Sequence, residues 1–211
     1  MRRLLESLGY IPYLLFHPFD GFYEAKFRGK DSAAAATVLL LLYGAARIIA
    51  AQYSGFVVNY NSTYEVESGQ VFLASVMPLM LFLVSDYCAA MLLNGNGSFK
   101  DIYLVICYSL VPMIFFDIIF TLASNLIILE ESPLLGAFHW IGIIWFLFLL
   151  FAGLCVVHEY SALQNLGSLL GAAAAAVIII FVSVLLLTLA DKVLSFFRVI
   201  SIEVMSRWWR Q

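Results

Sequence analysis

Arg47, Asp86 and Asp117 stand inside long apolar stretches, where insertion scales put an ion at a cost on the order of 2.5–3.5 kcal/mol. They are the first residues to question for chemistry. Two buried acids could form a proton-sharing dyad, but Asp86 lies about seven residues from the inner end of its stretch and Asp117 about fifteen from the inner end of its own. At roughly 1.5 Å per residue their depths differ by about 12 Å, too far to share a proton. Arg47 lies fourteen residues into its stretch and matches Asp117 in height within about 1.5 Å. The two either form an intramembrane ion pair or Arg47 snorkels to the nearer interface; the spacing leaves both open.

The histidines His17, His139 and His158 have no second histidine at helical spacing and no CxxC beside them, so no metal site is expected. His158 precedes Glu159 at the end of an apolar stretch. There it complements a helix C-terminus or, with Glu159, forms a cytoplasmic-side proton site. His158-Glu159 does not extend to HExxH, and neither GxSxG nor a P-loop occurs. The chain is therefore expected not to be an enzyme and to carry no cofactor. Cys88, Cys107 and Cys155 all fall in apolar runs and are expected to behave as small buried hydrophobes.

The elements that position these residues follow from composition. Of 211 residues 64% are hydrophobic and 12% charged, too little polar surface for a soluble domain. About 20 helical residues cross a hydrocarbon core of roughly 30 Å, and five stretches qualify: 33–53, 70–93, 102–129, 134–157 and 166–190. The fold class expected is an all-α polytopic transmembrane bundle of five spans, with interfacial amphipathic helices at both ends. Ser32 and Ser98 are placed to cap the first and third spans, and Pro133 suits the first turn of the fourth. Pro78 and Pro112 are expected to interrupt their spans or simply to kink them.

Residues 1–32 form a cytoplasmic or interfacial segment rich in Arg and Lys, 33–190 the five-helix domain, and 191–211 an amphipathic interfacial tail with Trp208 and Trp209 as anchors. Pro12 argues against helix in the segment beyond it, and no cleavable leader is expected. Arg2, Arg3, Lys26, Arg28 and Lys30 set against loops free of Lys and Arg put the N-terminus in the cytoplasm. Lys192, Arg198, Arg207 and Arg210 then fall outside, against the same rule. Small residues line the first span and, around Gly167-x-x-x-Gly171, the fifth; they pack within the chain or against another helix. Asn61-Ser62-Thr63 fits a glycosylation acceptor on the outer side.

The run Gly95-Asn96-Gly97-Ser98-Phe99-Lys100-Asp101-Ile102-Tyr103, continuing to Tyr108-Ser109-Leu110-Val111-Pro112, is a glycine hairpin feeding an aromatic helix entry. It resembles the hallmark of the Yip family of five-span membrane proteins. His17-Pro18-Phe19-Asp20-Gly21-Phe22 and Gln52-Tyr53-Ser54-Gly55-Phe56 are similar to segments of its bacterial members. The resemblance implies five helices, a cytoplasmic N-terminus and an outward C-terminus. It also implies a partner-binding hairpin at Gly95, Gly97, Phe99, Lys100, Asp101, Tyr103, Tyr108 and Pro112. Eukaryotic members resemble vesicle-traffic adaptors with an acidic arm and an Asp-Leu-Tyr-Gly-Pro type motif, neither of which stands here. The expectation is thus a bacterial cytoplasmic-membrane protein, a scaffold or accessory subunit of another membrane protein such as an ABC-type transporter, or a homo-oligomer, with no role on nucleic acid. The alternative is a small transporter or channel with Arg47, Asp86, Asp117 and Asn125 along a polar path.

Overall fold

The computed structural model describes residues 2–29, 32–56, 58–59 and 67–208; within these, the side chains of 2–5, 129 and 202–208 are not described. The glycosylation pattern at Asn61 and the residues Trp209 and Arg210 lie outside the described residues. No strand occurs among those described.

Three short helices open the chain: α1 (Arg2–Gly9), α2 (Ile11–Phe16) and α3 (Pro18–Arg28). Pro12 and Pro18 each sit in the first turn of a helix, where the missing N–H would have had no intrahelical acceptor. Pro12 thus starts a helix, contrary to the expectation that it ends one. Leu14 and Phe22 are buried in the bundle core, so this segment is part of the packed domain as well as a surface element. Gly21 permits it: a Cβ there would stand 2.8 Å from the Leu14 backbone.

Among the described residues, five helices are long and apolar enough to cross a membrane. The first is α4 (Ala33–Tyr53), whose N-cap Ser32 accepts from the Ala35 amide. The second, α5 (Ser68–Leu92), runs through Pro78 without interruption. The third divides into α6 (Phe99–Ser109) and α7 (Val111–Ser124) around Leu110, because Pro112 has no N–H to return to the preceding turn. A short 3-10 turn, Leu129–Glu131, leads into α8 (Ser132–His158), with Pro133 in its first turn. The last is α9 (Ala162–Trp208).

The helix α6 is the centre of the bundle. Ile102, Val105, Ile106 and Cys107 are sealed, and α4, α5 and α8 surround them. Small residues give the close approaches: Ala35, Ala36 and Ala46 of α4 are buried, Gly44 admits Phe72, and Gly153 of α8 admits Val105 and Phe22. In α9, Ala172 is buried and Gly171 faces Ala89 of α5. These small residues are therefore occupied within the chain, whereas Gly167, Ala173 and Ala174 of α9 and Ala45 of α4 are exposed. Cys107 and Cys155 are buried as expected, whereas Cys88 is exposed on the face of α5.

No turn separates the fifth span from the tail. With 47 residues, α9 is roughly 70 Å long, more than twice the hydrocarbon thickness. The tail is helical as expected, but as a direct continuation of the span. From Ile180 to Ser201 every residue is exposed.

Candidate functional site

Two polar clusters lie at opposite ends of the bundle. The first surrounds the glycine hairpin between α5 and α6. Asn94 closes α5 with φ 56°, and Ser98 and Asp101 form a capping box on α6: each side chain accepts from the other residue's backbone amide. Beneath the turn sits His158, the last residue of α8, fully buried, with Nε2 3.1 Å from Oδ2 of the equally buried Asp86. Its ring stacks on Tyr160 at 5.2 Å. A Cβ at Gly97 would fall 2.7 Å from the imidazole, and one at Gly95 would fall 2.5 Å from the Tyr160 hydroxyl. The two glycines are therefore the positions at which the loop closes on these rings. Burial pushes the Tyr160 phenol above its ordinary range.

Around this plug the chain is fastened from several directions. Lys26 of α3 donates to the Val157 carbonyl at 2.7 Å and reaches Glu159 at 3.4 Å, supplying a cation to the C-terminus of α8. Glu159 takes a left-handed conformation, φ 59°, and accepts from Asn96 Nδ2 at 3.1 Å. Tyr10 donates to Glu24 at 3.2 Å, and burial first, then the Glu24 carboxylate, raises its phenol well above the usual value.

The residues assigned to the hairpin divide accordingly. Gly95, Gly97 and Asp101 shape the turn; Tyr103 shares a hydrogen bond with Thr37 of α4 at 3.1 Å; Tyr108 and Pro112 are buried. Phe99 and Lys100 are exposed, Phe99 edge-on to Tyr87. Met91, Leu92 and Leu93 add exposed apolar surface beside them, Leu92 at 84%.

The second cluster joins α4, α7 and α8. Arg47 Nη1 lies 3.5 Å from Asp117 Oδ1, so the helical rise places the two side by side. His139 Nδ1 stands 3.2 Å from the same oxygen but outside hydrogen-bond alignment. Sequence reasoning had given His139 no partner, although it sits seven residues into α8, at a depth close to that of Asp117 in α7. These three residues line a cavity of about 290 Å³ that reaches Ser54 and Asn59. Asn125 does not line it; its amide donates to the carbonyls of Tyr53 and Thr121. Close by, Gly55 donates to Ser124 Oγ at 2.8 Å, and a Cβ at Gly55 would overlap the Ser124 carbonyl. Arg47 and Asp117 thus share one cavity, while Asp86 and Asn125 lie apart from it, so the four do not line one path. Among the described residues, no group of three metal-ligating side chains converges.

With the hairpin and the five spans in place, the decisive comparison is a family model, the Yip1 domain, which matches residues 13–187. The chain belongs to the Yip1 domain family. The match begins within α2 and takes in all five spans as far as the middle of α9, so both polar clusters lie inside the Yip1 domain. No curated protein and no solved structure matches the chain. The part of α9 beyond residue 187 continues past the Yip1 match.

Proposed function

We propose that this Yip1 domain protein is a non-enzymatic scaffold or accessory subunit of a bacterial cytoplasmic membrane, holding a second membrane protein through the far half of α9 and the exposed edge of the hairpin. The observation that carries the reading is the length and bareness of α9. A helix of 47 residues outruns a bilayer by about half its length. Its exposed residues from 193 to 200 include Leu194, Phe196, Phe197 and Val199. Apolar surface of this extent outside the hydrocarbon layer calls for a covering partner. A membrane-protein complex, with an ABC-type transporter among the candidate classes, supplies such a surface, as does a second copy of the chain.

On the hairpin, Phe99 and Lys100 with Leu92 offer an aromatic and basic edge next to the membrane. The small-residue faces are filled within the chain only in part, and the exposed Gly167, Ala173 and Ala174 of α9 add a flat surface on which a partner's helix can pack. The test is affinity purification in mild detergent from the native membrane, comparing the intact chain with Phe196→Ser/Phe197→Ser and with Lys100→Ala. The proposal expects a stoichiometric partner, or a second copy, that is lost with the α9 variant and weakened with Lys100→Ala. Monomeric recovery of the intact chain from gently solubilised membranes, with nothing bound, overturns it.

A further inference from the structure

The cavity at the end of the bundle away from the hairpin has an uncommon charge arrangement. It holds one guanidinium, one carboxylate and one imidazole in about 290 Å³, near the lower end of the roughly 300–1,000 Å³ typical of ligand pockets. Asp117 is only 2% exposed. Its Oδ1 accepts from Arg47 and has His139 Nδ1 beside it but unaligned, while Oδ2 is buried with no hydrogen-bond partner among the described residues. A buried carboxylate oxygen left unsatisfied is costly, and rotation about χ2 presents either oxygen to the cavity. Arg47, with its side chain 36% exposed, makes one long contact to Asp117 and no other hydrogen bond among the described residues, although a guanidinium carries five donors.

The two unmet needs are opposite in kind and close together. A simple anion would meet Arg47 but face Asp117; a simple cation would do the reverse. A molecule with both poles satisfies each and brings a compensating counter-charge with it into a low-dielectric site. The carboxylate asks for N–H donors, which a primary ammonium has and a trimethylated one lacks. Planar guanidinium groups favour phosphate oxygens. Arg47 is six residues from the end of α4, roughly 9 Å, and the cavity continues from it to Ser54, Val58 and Asn59 beyond the helix end. The cavity therefore runs from about 9 Å inside the span end outwards to headgroup level, a depth to which a headgroup drawn in by the two charges must dip.

We propose that this cavity binds an aminoethyl phosphate group, with its ammonium on Asp117 and its phosphate on Arg47. The group is supplied either as the headgroup of a phosphatidylethanolamine or as a free phosphoethanolamine-like solute.

The test uses the full chain, purified and delipidated. Native mass spectrometry measures retention of phosphatidylethanolamine, its N-methyl, N,N-dimethyl and trimethyl (phosphatidylcholine) forms. Calorimetry measures binding of free phosphoethanolamine against phosphocholine. Loss of one charge-assisted hydrogen bond corresponds to roughly a tenfold or greater weakening, so affinity should fall at least that far across the methylation series. Asp117→Asn should abolish the discrimination, and Arg47→Gln should weaken all the phosphate-bearing probes together. Discrimination in the lipid arm alone assigns the headgroup, and discrimination in the soluble arm assigns a free solute. Equal retention of all four lipids together with no phosphoethanolamine binding overturns the site, as does undiminished discrimination in a folded Asp117→Asn protein. If that variant does not fold, the methylation series on the unaltered chain still decides the matter.

Discussion

The imidazole of His158 and the carboxylate of Asp86 meet at 3.1 Å with neither group open to solvent, and this pair pins the end of α8 to the end of α5 directly under the glycine hairpin. Removing one member leaves the other buried and unsatisfied, which costs about 3–5 kcal/mol when the survivor is charged and about 1–3 kcal/mol when it is neutral. Asp86→Ala and His158→Ala, which take the hydrogen-bonding group away, should therefore each lower the thermal unfolding midpoint in detergent. The double variant should lose less than the sum of the two, because the second change removes a group already orphaned by the first. Strict additivity in a double-mutant cycle would show that the two groups do not depend on each other.

The hairpin glycines should be irreplaceable for a steric reason. Gly97→Ala places a methyl 2.7 Å from the His158 ring, and Gly95→Ala presses on Tyr160 and His158; overpacking of this kind costs about 1–3 kcal/mol. Gly69, with nothing within 4 Å of an added Cβ and in the first turn of α5, provides the control, and Gly69→Ala should be neutral or slightly stabilising. Comparison of unfolding midpoints separates the outcomes, and a Gly97→Ala protein as stable as Gly69→Ala would contradict the packing argument.

Helix positions were legible because membrane thickness fixes their length: 33–53 matches α4 residue for residue, and Ser98 caps α6 as its spacing with Asp101 implies. Equal helical rise made the approach of Arg47 and Asp117 legible, since the first and third spans run in the same direction. The partnership of Asp86 with His158 was not legible, because it depends on which faces of α5 and α8 turn toward each other, and neither helix has an apolar stripe to orient it. The start of α9 was readable but missed. Ser161-Ala162-Leu163-Gln164 is a capping box, with Ser161 Oγ accepting from the Gln164 amide and Gln164 Oε1 accepting from the Ser161 amide. Hydropathy alone set that helix four residues late. The burial of Leu14 and Phe22 escaped for a different reason: charges around them gave the segment the composition of a surface element.

Lys26 and Glu159 form an ion pair at 3.4 Å, yet the lysine matters more than the pair. Its ammonium donates to the Val157 carbonyl at 2.7 Å, an acceptor the last turn of α8 leaves without an intrahelical partner. Glu159 is half exposed, and such pairs contribute about 0–1 kcal/mol. Glu159→Gln should therefore change stability by less than about 1 kcal/mol, with little dependence on salt. Lys26→Met should cost more, on the order of 1–3 kcal/mol for a lost hydrogen bond from a charged donor. Equal effects of the two substitutions, both abolished by high salt, would assign the stabilisation to the ion pair instead.

Tyr10 links the N-terminal helices through its bonds to Glu24 and to the Gly21 carbonyl, and its phenol is held protonated in the folded state by burial and by the neighbouring carboxylate. In the unfolded chain a tyrosine ionises near pH 10. A folded-state pKa above the unfolded one means that the folded protein binds the proton more tightly. The associated stabilisation is complete below about pH 10 and is lost as pH rises beyond it. Unfolding midpoints measured from pH 8 to pH 11 should fall at the alkaline end, and Tyr10→Phe should remove part of that fall while lowering stability at pH 8 by about 0.5–1.5 kcal/mol for the lost hydrogen bond. An alkaline slope identical in the two proteins would mean that Tyr10 does not titrate with unfolding, and that Leu14, Phe22 and the Lys26 bond to Val157 hold the N-terminal helices without it.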